Sequence, residues 1–141
     1  MTNDNDPILI GLGCSTAAST SEIVGLVEAC LREANCQAGQ IVAFATHSRK
    51  RGSEALIDTA TRFGVPLFFL DDDALAPGIE STCEAVAAAA GPLQLGKRKS
   101  RYATCAIARC DTEFSVASLA QPVRPSAAIA ASRSATSVAG P

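Results

Sequence analysis

The chemistry available to this 141-residue chain is concentrated in three short stretches. Gly11-Leu12-Gly13-Cys14-Ser15-Thr16 brackets a thiol with glycines, a composition that favours a tight turn with backbone N–H groups open to an anion. His47-Ser48-Arg49-Lys50-Arg51-Gly52 joins the single histidine to three cations. Gly96-Lys97-Arg98-Lys99-Ser100-Arg101 holds four more. These two clusters contain seven of the twelve Lys and Arg residues, in a chain whose net charge is −2. A weakly acidic protein that gathers its cations should bind an anion where they meet.

The familiar catalytic patterns do not fit these stretches. A dinucleotide fingerprint G-x-G-x-x-G would need glycine at position 16, which is Thr16, and the phosphate-binding G-x-x-x-x-G-K-[ST] is absent. A cysteine phosphatase loop would place arginine at position 20, which is Thr20. What survives is backbone contact from Gly11, Gly13, Cys14 and Ser15, with Cys14 expected beside a helix N-terminus that would favour its thiolate. His47 is a candidate general base, set against the commoner role of capping a loop. Asp71-Asp72-Asp73 suggests a divalent ion, but aspartates at a helix start are more often caps.

Hydrophobic periodicity shows what must position these residues. Ile8–Leu12, Ile41–Thr46 and Val65–Leu70 are short apolar runs of the buried-strand kind. Ser19 and Glu22 fit a capping box ahead of a helix whose face is Ile23, Leu26, Val27, Cys30, Leu31 and Ala34. Ser53 starts a second helix, with Leu56, Ile57, Ala60 and Phe63 as its face and Gly64 as its stop. A third, Ala-rich helix is predicted over Glu80–Ala90 before Gly91-Pro92. Leu93–Leu95 and Ala103–Ala108 then read as a hairpin across the second basic loop. The order β-α-β-α-β-α-β-β predicts a three-layer α/β/α domain over 7–114, with a partly parallel, mixed sheet. In such sheets the loops at the carboxyl ends of the parallel strands converge on a cleft.

Composition bounds the alternatives. Hydrophobic residues make up 48% and charged residues 18%, which supports one packed core. The charge balance argues against a nucleic-acid binder, and no apolar run approaches the ~20 residues of a membrane span. The acidic start, Met1–Asp6, does not fit a signal peptide, so a soluble cytoplasmic protein is expected. The six cysteines contain no C-x-x-C and predict no metal site; apart from Cys14 they read as small buried apolar residues. From Ser115 to Pro141 the chain is rich in Ala, Ser and Pro, and a disordered, dispensable tail is expected.

Several of these residues also form an ordered set. It begins with Gly11-Leu12-Gly13-Cys14, Ser19 and Glu22-Ile23, and continues with Ala45-Thr46, Lys50 and Leu56. Phe63–Leu67, Phe69, Ala74-Leu75 and Cys83-Glu84-Ala85 follow, and Lys97–Ser100 with Ala103–Arg109 closes it. Taken together, over about residues 8 to 109, the chain resembles the CobE family of cobalamin biosynthesis, which is also the family of the CbiG C-terminal domain. The resemblance implies a part in corrin-ring construction. CbiG opens the lactone of a cobalt-precorrin and releases acetaldehyde, whereas a precorrin-binding role suits the free-standing CobE. It implies a precorrin-type tetrapyrrole as ligand and other enzymes of the cobalamin pathway as partners, with no cofactor and no metal ion. Lys50, Lys97 and Lys99 would then meet carboxylates, and Thr46, His47 and Thr104 would line the site beside Gly11, Gly13, Cys14 and Ser15. The chain departs from the family at Ser15, Thr16 and Ala17, where basic residues and a glycine are common. It also departs at Ser53-Glu54, where the acidic position falls, and in its shorter segment between Leu75 and Cys83.

Overall fold

The structure, a computed structural model, describes residues 6–75, 78, 79, 81–111, 114 and, as backbone, 122–123. Strand β1 (Ile8–Cys14) leads through helix α1 (Thr20–Glu33) to β2 (Ile41–His47), and α2 (Glu54–Phe63) leads on to β3 (Leu67–Leu70). Helix α3 (Thr82–Ala87), the hairpin β4 (Leu93–Lys99) and β5 (Ala103–Arg109), and the two-residue β6 (Pro122–Val123) follow. The sheet order is β4-β5-β1-β2-β3-β6. Strands β1, β2 and β3 are mutually parallel, while β5 pairs antiparallel with β1 and with β4. The fold is therefore the mixed α/β architecture the strand and helix order predicts.

The two faces of the sheet explain the three layers. Ile8, Ile10 and Leu12 point to one side and share a core with Ile23, Val27 and Leu56 of α1 and α2. Leu9 points to the other, where Ala43, Ala45, Ala106 and Ala108 meet Cys83, Val86 and Ala87 of α3. The row of alanines leaves room for α3 to lie close on the sheet. Gly11 completes that fit, since a Cβ there would come 2.2 Å from the Cys83 carbonyl oxygen.

Local signals explain the helix ends. The Ser53 hydroxyl accepts the Leu56 N–H at 3.3 Å, and α2 stops at Gly64, whose φ of 72° is left-handed. The Ser19 hydroxyl accepts the Glu22 N–H at 3.1 Å. The other half of the expected capping box is not made, because the Glu22 carboxylate turns to the β4–β5 turn and accepts from the Ser100 hydroxyl and the Tyr102 N–H. Helix α3 is shorter than the expected Glu80–Ala90, with Ala88–Ala90 already a turn and residue 80 outside the described residues. The expected basic loop is mostly strand: β4 runs through Lys99, and Arg98 and Lys99 pair with Cys105 and Thr104. Charged residues are tolerated there because β4 is an edge strand. All six cysteines are free; Cys30, Cys36, Cys83 and Cys105 are buried, and Cys14 and Cys110 are half-buried. The expectation of a disordered tail lies outside the described residues, apart from Pro122-Val123, which pair with Phe68 and Leu67.

Candidate functional site

The carboxyl ends of β1 and β2 open into a cleft of about 390 Å³. Strand β1 contributes Leu12, Gly13 and Cys14, and β2 contributes Thr46 and His47. Arg49 and Lys50 stand on the single 3-10 turn Ser48–Lys50 that follows β2. The opposite wall is the start of α3 at Ser81, Thr82 and Cys83, with Lys97 of β4 and Thr104 of β5. A second cavity, of about 400 Å³, adjoins it and shares Cys14, Arg49 and Lys50; Ser15, Thr16 and, at the start of α2, Ser53, Glu54 and Ala55 are among its other lining residues. Among the described residues that line it, the first cleft has three cations and no carboxylate.

The floor is rigid. The buried Thr46 hydroxyl donates to the Leu12 carbonyl at 2.7 Å, tying the ends of β1 and β2. A Cβ at position 13 would lie 2.7 Å from the Thr104 hydroxyl oxygen, so glycine is what admits that hydroxyl to the floor. Lys97 is anchored through its backbone, where its N–H donates to a Glu84 carboxylate oxygen at 2.7 Å.

His47 is already fully occupied. Its Nδ1 accepts the Arg49 N–H at 3.1 Å, and its Nε2 lies 2.6 Å from Asp72 Oδ1. An accepting Nδ1 places the ring proton on Nε2, which donates to Asp72. No lone pair remains to take a proton from water. The Cys14 sulfur lies 3.7 Å from the Ser53 hydroxyl oxygen, so the helix start beside it is that of α2, rather than the expected one after its own loop. Burial pushes the Cys83 thiol up, against smaller opposing contributions from the Ser81 and Thr104 hydroxyls, and Cys83 lines the cleft as a neutral thiol.

Of the residues singled out from the sequence, Gly13, Cys14, Thr46, His47, Lys50, Lys97 and Thr104 come together in the first cleft. Ser15 lines the second cavity, and its N–H donates to the Tyr102 carbonyl at 2.9 Å. Gly11 lies outside both cavities and serves the packing of α3, and Lys99 is exposed on the edge strand. Arg98 belongs to the other face of the sheet, where its Nη2 meets Glu33 of α1 at 2.6 Å. Arg51 is drawn away, with its guanidinium carbon 5.4 Å from the Phe69 ring centroid. Arg49 comes from the basic stretch after β2, whereas sequence reasoning did not select Ser81, Thr82 and Cys83 as site residues. The signal for the last three is indirect, since Gly11 lets the start of α3 reach this edge. Among the described residues no three His, Cys, Asp or Glu side chains gather as a metal site requires. No described helix is long and apolar enough to cross a membrane.

Comparison with known proteins agrees with this geometry. The structure is similar to that of CobE, a protein from the cobalamin (vitamin B12) biosynthetic pathway. The TM-score is 0.68 at 26% identity, over 77% of this chain and 93% of that one. It is also similar to the cobalamin biosynthesis protein ChiG from Agrobacterium tumefaciens, with a TM-score of 0.64 at 22% identity over 74% and 98% of the two chains. A putative cobalamin biosynthesis protein G homolog from Sulfolobus solfataricus matches with a TM-score of 0.59 at 22% identity, over 77% of this chain and 38% of that one. The latter two likenesses concern the fold alone. No curated protein matches the sequence. Residues 8–108 match the family described as cobalamin synthesis G C-terminus, so the chain belongs to that family and takes part in cobalamin biosynthesis.

Proposed function

We propose that the protein binds a polycarboxylate tetrapyrrole of the precorrin type, as a carrier or accessory factor in corrin construction. One observation carries this reading. Arg49, Lys50 and Lys97 line a single cleft with no carboxylate among the described residues that line it, in a chain of net charge −2. Precorrins carry carboxylates around a broad apolar ring, and charge-assisted bonds to cations are the strong way to hold them. A cleft of about 390 Å³ is small beside such a macrocycle, so it holds an edge of the ring and leaves the rest exposed.

Lactone hydrolysis fits the geometry less well. It needs a general base within reach of a water, and the His47 lone pair is committed to the Arg49 N–H. A role as an interaction module for other pathway enzymes would use the fold without this charge arrangement.

The test is an absorbance titration of the purified protein with hydrogenobyrinic acid, a metal-free corrin with free carboxylates, at low and raised salt. A saturable shift that weakens with salt is expected. No shift at any concentration would overturn the carrier reading. Release of acetaldehyde from a cobalt-precorrin would replace it with the hydrolase.

A further inference from the structure

The basic turn after β2 is held by contacts from His47, which itself lines the cleft. His47 accepts the Arg49 N–H and so caps the Ser48–Lys50 turn, while its far nitrogen donates to Asp72 in the turn Asp72–Ala74 that follows β3. The imidazole thus spans the loops after two neighbouring parallel strands. At the other end of the turn, the Lys50 carbonyl accepts from Ser53, the N-cap of α2, at 3.0 Å. Arg51 is held over the buried Phe69 ring. Of the three consecutive cations, Arg49 and Lys50 line both cavities and Arg51 lines neither.

We propose that His47 is a positioning residue, and that its cap on the Arg49 amide sets this turn so that Arg49 and Lys50 meet a carboxylate-bearing ligand while Arg51 is withheld. The cap fixes the turn from which two of the three cations face the cleft. The identity of the anion rests on the carrier reading above, whereas the restraint on the turn does not depend on it.

The test compares wild type, His47→Ala and His47→Asn, each alone and with Lys50→Ala or Lys97→Ala, by titration with hydrogenobyrinic acid. Asparagine can accept the same amide as an N-cap, so His47→Asn should stay within about twofold of wild type. His47→Ala should bind about fivefold more weakly, the loss expected for one cap of ordinary strength. In the His47→Ala background, Lys50→Ala should cost clearly less than in wild type, while Lys97→Ala should cost the same in both. A general loss of stability would change both lysines alike, so additive losses at Lys50 overturn the proposal. Equal weakening in His47→Asn and His47→Ala also overturns it, because the ring itself would then be the contact.

If wild type binds no hydrogenobyrinic acid, the carrier reading and the ligand half of the proposal fail together. Hydrogen exchange at the Arg49 amide then decides the restraint: protection kept in His47→Asn and lost in His47→Ala upholds it, and equal exchange in all three proteins overturns it.

Discussion

The Glu22 carboxylate accepts the Tyr102 N–H at 2.6 Å, joining the first turn of α1 to the turn of the β4–β5 hairpin across 80 residues of sequence. The same carboxylate accepts from the Ser100 hydroxyl, and the Tyr102 carbonyl accepts from the Ser15 N–H at 2.9 Å. The Glu22 side chain thus holds the hairpin turn against α1, and the Tyr102 carbonyl holds it against the loop that leaves β1.

The Ser100 hydroxyl, and then the Tyr102 N–H, hold the Glu22 carboxyl below its ordinary value of 4.5. A carboxylate depressed in the folded state contributes its stability fully above the unfolded value and loses it as the pH falls through the folded one. Wild type should therefore be more stable than Glu22→Gln at pH 7, and the two should converge in acid below the folded value. Denaturant melts of both proteins at a series of pH values check this; a constant difference across the series would contradict it.

Gly11→Ala places a Cβ 2.2 Å from the Cys83 carbonyl and 3.0 Å from the Ala87 nitrogen, both of them backbone atoms. Strand and helix must separate, at a cost of about 2–3 kcal/mol of stability. Because Ser81, Thr82 and Cys83 line the cleft, corrin affinity should fall as well. Melting temperature and titration together test this, and a variant as stable as wild type would show that α3 is not closely seated.

Lys50→Ala and Lys97→Ala should each weaken hydrogenobyrinic acid binding by about 1.5–3 kcal/mol, the worth of a hydrogen bond to a charged group. Lys99→Ala should leave affinity nearly unchanged, because Lys99 lies outside both cavities. The salt dependence of the dissociation constant should flatten for the first two variants only. Equal losses at Lys50, Lys97 and Lys99 would point to a diffuse basic surface instead of a cleft.

Thr46→Val removes the buried donor to the Leu12 carbonyl and keeps the side-chain shape. A loss of about 1–2 kcal/mol is expected in denaturant unfolding, with most of it recovered in Thr46→Ser.

Much of this fold is legible because its signals are local. The apolar runs of β1 and β2 and the caps Ser19, Ser53 and Gly64 depend on near neighbours in the chain, and they stand where their patterns place them. The shortfalls are all long-range. Glu22 has the spacing of a capping box, yet its carboxylate goes to a turn 80 residues away that outcompetes the Ser19 amide. Lys97, Arg98 and Lys99 have loop chemistry, and it is pairing with β5 that makes them strand. Ser81 and Thr82 carry no motif, and with Cys83 they reach the cleft because Gly11 lets α3 approach. His47 caps the turn after β2, the commoner role expected of it, while its second partner, Asp72, lies 25 residues away.

The two edges of the sheet are protected by different means. At one edge β4 carries consecutive charges, which discourage pairing with another chain. At the other, the apolar, fully buried strand Leu67–Leu70 has no charges of its own and is paired instead by Pro122-Val123. Cutting the chain between Phe114 and Pro122 would leave a bare hydrophobic edge, and such a truncate should self-associate through it. That outcome would give Pro122-Val123, which pair with Phe68 and Leu67, a part in keeping one copy of the protein from templating on the next.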